Sequence, residues 1–126
     1  MHHIAVIDDD KDLLKVVKSS LYKKGFNVST YFNWEVANKA FKLLKPQLIL
    51  LDVFLSDTMD GLDVCQKLKS SPFTRNIPVI LFSGFPKIAE SAIRDYGADD
   101  FIAKPFELND LTKKLYSLLS RKKVRS

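Results

Sequence analysis

Short apolar runs alternate with helix-period patterns along the whole chain, and that alternation is the tightest constraint on its fold. His3 to Ile7 reads as a strand, after which Leu13, Leu14, Val17 and Leu21 recur at helical spacing and Gly25 supplies a stop. Asn27 to Phe32 reads as a second strand, more polar and so nearer a sheet edge. Asn33 is placed to cap a helix carrying Val36, Ala37, Ala40, Phe41 and Leu44, which Pro46 terminates. Leu48 to Leu51, Val79 to Phe82 and Phe101 to Ala103 give three more strands. Leu62 to Leu68, Lys87 to Tyr96 with Gly97 at its end, and Leu108 to Leu119 give three more helices. Five βα units with continuously apolar strands predict an α/β fold, in which helices cover both faces of a parallel sheet and crossovers are right-handed.

A chain of 126 residues fits one domain, and 46% hydrophobic with 28% charged residues is a globular composition. Cys65 is the lone cysteine, so no internal disulfide can form and a reducing, cytoplasmic setting is expected. The longest apolar run, LILL at 48–51, is far too short to span a membrane, and no signal-peptide pattern opens the chain. The formal charge is +5, but Arg121, Lys122, Lys123 and Arg125 crowd the last six residues, and without them the charge is +1. Residues 121–126 therefore read as a basic tail after a body of residues 1–120. The tail is either a solvated helix end favoured by the helix dipole or a weak site for an anionic partner. His2 and His3 are weak evidence for a metal.

In a parallel sheet, functional groups gather beyond the carboxyl ends of the strands. The first strand runs into Asp8 and Asp9, the third into Asp52, the fourth into Ser83-Gly84 and the fifth into Lys104-Pro105. Each residue alone has a structural reading, as a loop residue, a turn hydroxyl or a solvated lysine. Together they bring three carboxylates, a hydroxyl and an ammonium to one crevice. Clustered hard oxygen donors suit Mg²⁺, which offsets their mutual repulsion. A carboxylate is also a nucleophile toward phosphorus, while an ammonium and a hydroxyl stabilise the transferring group. Asp10 reads as the cap of the first helix.

These motifs identify a resemblance over essentially the whole chain. VIDDD at 6–10, LILLDVFL at 48–55, MDG at 59–61, ILFSG at 80–84 and GADDFIAKPF at 97–106 resemble the receiver domain of two-component response regulators. The resemblance implies a flavodoxin-like three-layer αβα sandwich with five helices and strand order 2-1-3-4-5. It implies a signalling switch, not a turnover enzyme, phosphorylated on Asp52 by a sensor histidine kinase or a histidine phosphotransfer domain. Asp8, Asp9, Asp52 and the backbone carbonyl of Phe54 match the Mg²⁺ ligands. Lys104 matches the lysine paired with the phosphoryl group, and Pro105 a proline commonly preceded by a cis bond. Ser83 and Phe101 match the coupled switch residues. Phe54 and Phe85 match positions that flank the path of the hydrolytic water, so slow self-dephosphorylation is expected. The output is expected through contacts with a downstream protein, in a single-domain regulator or an excised receiver. Homodimerisation would use the face of helix 4, strand 5 and helix 5, near Tyr96 and Phe101. Nucleic acid is not expected as a partner without an output domain.

Three departures from the family pattern stand out. Ser56 replaces a proline commonly found four residues after the acceptor, the stretch from Asp52 to Gly61 is one residue longer, and Phe101 lacks a hydroxyl, so its switching must rest on packing. The first two keep alive a degenerate receiver that binds partners without phosphorylation. An aspartate-nucleophile phosphatase is disfavoured by Phe54, which stands where such enzymes carry a second aspartate. A flavin-binding module is disfavoured by DDDKD, which would repel a phosphate at the first loop. Cys65 is expected in the core, and Trp34 is expected to pack rather than bind a ligand.

Overall fold

The computed structural model describes residues 2–55 and 60–124, with side chains described through Ser120. The elements run β1 (His3–Ile7), α1 (Lys11–Lys23), β2 (Asn27–Tyr31), α2 (Trp34–Phe41), β3 (Leu48–Asp52), α3 (Gly61–Ser70), β4 (Val79–Ser83), a 3-10 turn at Pro86–Ile88, α4 (Ala89–Tyr96), β5 (Asp100–Ala103) and α5 (Leu108–Val124). The five strands form one parallel sheet in the order β2-β1-β3-β4-β5. This is the expected flavodoxin-like order. The polar strand β2 takes an edge, and every residue of β3 and β4 is buried.

Alternate strand residues feed two cores, one on each face of the sheet. Ala5, Ile7, Ile49, Leu51, Val79 and Leu81 meet Phe41 of α2, Val64, Cys65 and Leu68 of α3, and Ala92 of α4. Ile4, Val6, Leu48, Leu50, Ile80 and Phe82 meet Leu14, Val17 and Leu21 of α1 and Leu111, Leu115, Leu118 and Leu119 of α5. Helices therefore cover both faces. Cys65 is fully buried as expected, and burial pushes its thiol up to about 12. Trp34 packs against Phe41, with ring centroids 6.1 Å apart.

Side chains set the helix starts. Asp10 caps α1 by accepting from the Asp12 and Leu13 amides, each at 3.1 Å. Asn33 caps α2 through the Val36 amide at 2.9 Å, and Asp60 caps α3 through the Leu62 amide at 2.7 Å. Gly97 closes α4 at φ 82°, a left-handed position that favours glycine.

Most boundaries shift by one or two residues from the sequence expectations, and three differences change the local structure or the exposure of a side chain. β2 ends at Tyr31, leaving Phe32 half exposed beneath the Lys11 ammonium, 5.3 Å from its ring centroid. The segment after Phe85 opens with a 3-10 turn, in which the Ile88 amide donates to the Phe85 carbonyl at 3.3 Å, and the α-helix begins at Ala89 rather than Lys87. α2 stops at Phe41, so Leu44 is exposed instead of extending its apolar face. The backbone of α5 continues past residue 120 to Val124. Arg125 and Ser126, and the departures at Ser56 and in the loop through Met59, lie outside the described residues.

The end of α2 makes a direct contrast. Phe41→Ala should lower unfolding stability by about 3–5 kcal/mol, as for a large ring removed from a core. Leu44→Ser should change it by less than about 0.5 kcal/mol. Urea unfolding of the two variants checks this, and comparable losses would mean that the helix and its apolar face extend to Leu44.

Candidate functional site

The carboxyl ends of β1, β3, β4 and β5 deliver Asp8, Asp9, Asp52, Ser83 and Lys104 to one edge of the sheet, as the sequence predicts. Asp52 is the last residue of β3 and pairs in register with Phe82 of β4, while Ser83 pairs with Ala103. Asp8 is fully buried, Asp52 is 4% exposed and Asp9 is exposed. One oxygen from each of these three carboxylates lies within 4.8 Å of the others.

Lys104 reaches into this cluster. Its Nζ donates to Asp8 Oδ2 at 2.9 Å and to Asp52 Oδ1 at 3.3 Å. The other oxygen of Asp8 accepts from the Asp10 amide at 2.8 Å. Lys104 is anchored by its own amide, which donates to the Ser83 carbonyl at 2.8 Å, and is followed by a cis bond to Pro105. Ser83 is buried, and its Oγ accepts from the Phe85 amide at 3.1 Å, leaving its O–H to donate. Among the described residues no buried side-chain nitrogen or oxygen lacks a partner.

One ammonium between two buried carboxylates leaves a charge imbalance. Burial, then the charge of Asp8, pushes the Asp52 carboxyl up to about 6 against the opposing pull of Lys104. Burial also raises Asp8, with the Lys104 and Asp10 hydrogen bonds working the other way. Burial opposes the charge on Lys104 too, but its hydrogen bond to Asp8 and the fields of both carboxylates outweigh this and hold it above the usual lysine range. With Asp9 beside them, three carboxylates face one ammonium. That donor set fits a hard divalent cation, which would neutralise the excess.

Phe54 and Phe85 stand on the loops that follow β3 and β4. Their rings meet at an angle of 67° with centroids 5.2 Å apart, and both are more than half exposed. Phe101 faces inward at 8% exposure, packed with the core of α3 and α4, so it is not part of the surface with Tyr96. Gly61 has a role that its sequence reading as a helix boundary missed. Its amide donates to the Val53 carbonyl at 2.7 Å, and a Cβ there would collide with the Asp52 carbonyl oxygen and lie 2.7 Å from Val53 Cα. The first turn of α3 thus sits directly on the backbone of Asp52. Asp60-Gly61 was the only available signal, and it equally marks an ordinary turn.

The family model described as the response regulator receiver domain matches residues 4–116. The chain is 32% identical over 126 residues to the probable transcriptional regulator ycf27 of Cyanidium caldarium, covering 99% of this chain and 49% of that protein. It is 32% identical over 122 residues to the DNA-binding dual master transcriptional regulator RpaA of Synechocystis sp., covering 96% and 50%. The chain thus spans about half the length of these curated relatives. The crystal structure of the receiver domain of NtrX from Brucella abortus superposes with a TM-score of 0.85 at 34% identity, covering 93% of this chain and 98% of that one.

Two substitutions test this geometry. Asp52 binds its proton more tightly in the folded chain, at about 6, than at its ordinary value of 3.8, so its ionisation destabilises the fold. The penalty is absent below the ordinary value, grows as pH rises toward the folded value, and is complete at neutral pH. Without divalent cations, Asp52→Asn should therefore gain about 1–3 kcal/mol at pH 7.5 and lose that gain as pH falls to about 4. Urea unfolding across that range checks the sign, and a destabilised variant at pH 7.5 would contradict it. Gly61→Ala should lose about 2 kcal/mol or more, because only backbone atoms can yield to the new methyl group.

Proposed function

The chain belongs to the response regulator receiver domain family of two-component signalling, and from that premise we propose that it is a phosphoryl acceptor switched by phosphorylation of Asp52. The observation that carries this reading is the convergence of Asp52 with Asp8, Asp9 and Lys104 at the carboxyl edge of the sheet. The donor is a phosphohistidine on a sensor kinase or a histidine phosphotransfer domain. A carboxylate oxygen of Asp52 attacks phosphorus, the bond from phosphorus to the donor imidazole breaks, and its electron pair stays on the imidazole nitrogen, which takes up a proton. The product is an acyl phosphate on Asp52. Asp8, Asp9, Asp52 and the backbone carbonyl of Phe54 would hold Mg²⁺, which supplies charge neutralisation for the transferring group when bound.

The chain's own groups divide the remaining work. The Lys104 ammonium, 3.3 Å from Asp52 Oδ1, follows the developing charge on the phosphoryl oxygens. The Ser83 hydroxyl contacts the same oxygens and, with the buried Phe101, relays the change toward α4 and β5. Phe54 and Phe85 set an apolar rim that hinders water, so hydrolysis is slow. Residues 1–120 form the receiver body and 121–126 a basic tail. No helix among the described residues is long and apolar enough to cross a membrane. We place the protein in the cytoplasm, where its output runs through a protein partner or a homodimer on the α4-β5-α5 face. Transcriptional control, which names the relatives, would need parts beyond the half that this chain matches.

Incubation with acetyl phosphate and Mg²⁺, read as intact mass, tests the reading. One phosphoryl adduct is expected that requires Mg²⁺ and is absent from Asp52→Asn. No adduct on folded protein, with acetyl phosphate or a phosphorylated histidine donor, would point to a receiver that binds its partners unphosphorylated. Once formed, the adduct should decay several-fold faster in Phe54→Gln, where an amide replaces the apolar rim. An unchanged decay would remove Phe54 from control of the lifetime.

A further inference from the structure

Among the described residues, the Lys104 ammonium lies close to Asp8, Asp52 and one group that is not a carboxylate. Its Nζ lies 4.6 Å from the centroid of the Phe82 ring, in addition to its contacts with Asp8 and Asp52. Phe82 is 1% exposed and sits in register between Asp52 on β3 and Ile102 on β5. Its ring is held in turn by Phe106, with centroids 6.1 Å apart and planes at 85°. Phe106 itself packs against the core shared by α1 and α5. A line of contacts therefore runs from that core through two crossed rings to the ammonium.

We infer that Phe82 is a positioning residue, whose buried ring face holds the Lys104 ammonium at the acidic cluster while Phe106 keeps the ring from turning. Lysine carries its charge on a flexible four-carbon stem, so a fixed ammonium needs restraint from more than one side. A ring face attracts a cation, and most strongly where water is excluded. The ionic partners of Lys104 cannot supply this restraint by themselves. Asp8 and Asp52 are also the candidate ligands of a divalent ion, and Asp52 is the group that changes on phosphorylation. The ring is neutral, so neither event alters its attraction for the ammonium. An aliphatic residue at position 82 would fill the same core without offering that face.

The contact stands without phosphorylation, whereas its effect on phosphoryl transfer rests on the acceptor reading, so the test separates the two. In the unphosphorylated protein, the Lys104 ε-methylene resonances, assigned through Lys104→Arg, should lie upfield of those of solvated lysines because of the ring current. The shift should persist when Mg²⁺ is added, disappear in Phe82→Leu and return in Phe82→Tyr. Adduct formation from acetyl phosphate should slow roughly fivefold in Phe82→Leu and recover in Phe82→Tyr. Unshifted Lys104 resonances in the native protein would overturn the inference, whether or not the Phe82 variants fold. A Phe82→Leu protein that accepts the phosphoryl group at the native rate would overturn the positioning role. Shifted resonances in a protein that never forms an adduct would support the ring contact and refute the acceptor reading.

Discussion

A single ammonium stands between two buried carboxylates, and the functional edge of the molecule is organised around that imbalance. Lys104 donates to both Asp8 and Asp52, but one positive charge cannot satisfy two negative charges removed from water. The consequence is visible in Asp52, whose carboxyl is pushed up to about 6 by burial and by Asp8 even with the lysine beside it. Adding the exposed Asp9 within reach makes the deficit larger. Such a cluster is poorly balanced alone and well suited to a divalent cation and a phosphoryl group. Local stability is thus lowered at the one place where these carboxylates meet, a pattern that marks candidate functional sites.

The sheet is what keeps the imbalance in place. β1 and β3 are central strands buried on both faces, so neither Asp8 nor Asp52 can move outward without disturbing core residues. Asp10 serves two structures, since its side chain caps α1 and its amide holds the Asp8 carboxylate. Gly61 brings α3 directly onto the Asp52 backbone. The helices therefore brace the charged edge as well as covering the core.

The strands were legible in the sequence because β3 and β4 are buried on both faces and read as unbroken apolar runs. The candidate site was legible because Asp8, Asp52, Ser83 and Lys104 each directly follow an apolar run, and the caps at Asp10 and Asn33 are of residue types that accept from the first amides of a helix. The end of α2 was not. Leu43 and Leu44 continue the apolar composition, but both project into solvent once the helix ends at Phe41. Phe101 was assigned near a surface because its position in the chain says nothing about how deep α3 and α4 let it sink. Phe82 reads in the sequence only as the end of a strand. Its contact with Lys104 depends on side-chain directions across two strands, which periodicity does not encode. Ser83 and Lys104 were placed by neighbouring motifs, and the structure adds the backbone bond between them.

In the reading proposed above, Asp8, Asp9 and Asp52 form one cation site held ready by Lys104. Thermal unfolding of the unphosphorylated protein with and without Mg²⁺ measures this directly, because a ligand bound only by the folded state raises its stability. A Mg²⁺-dependent rise in midpoint is expected at neutral pH and should be lost in Asp9→Asn, whose exposed side chain can change without disturbing the core. A midpoint unaffected by Mg²⁺, or raised equally in the variant, would contradict that reading.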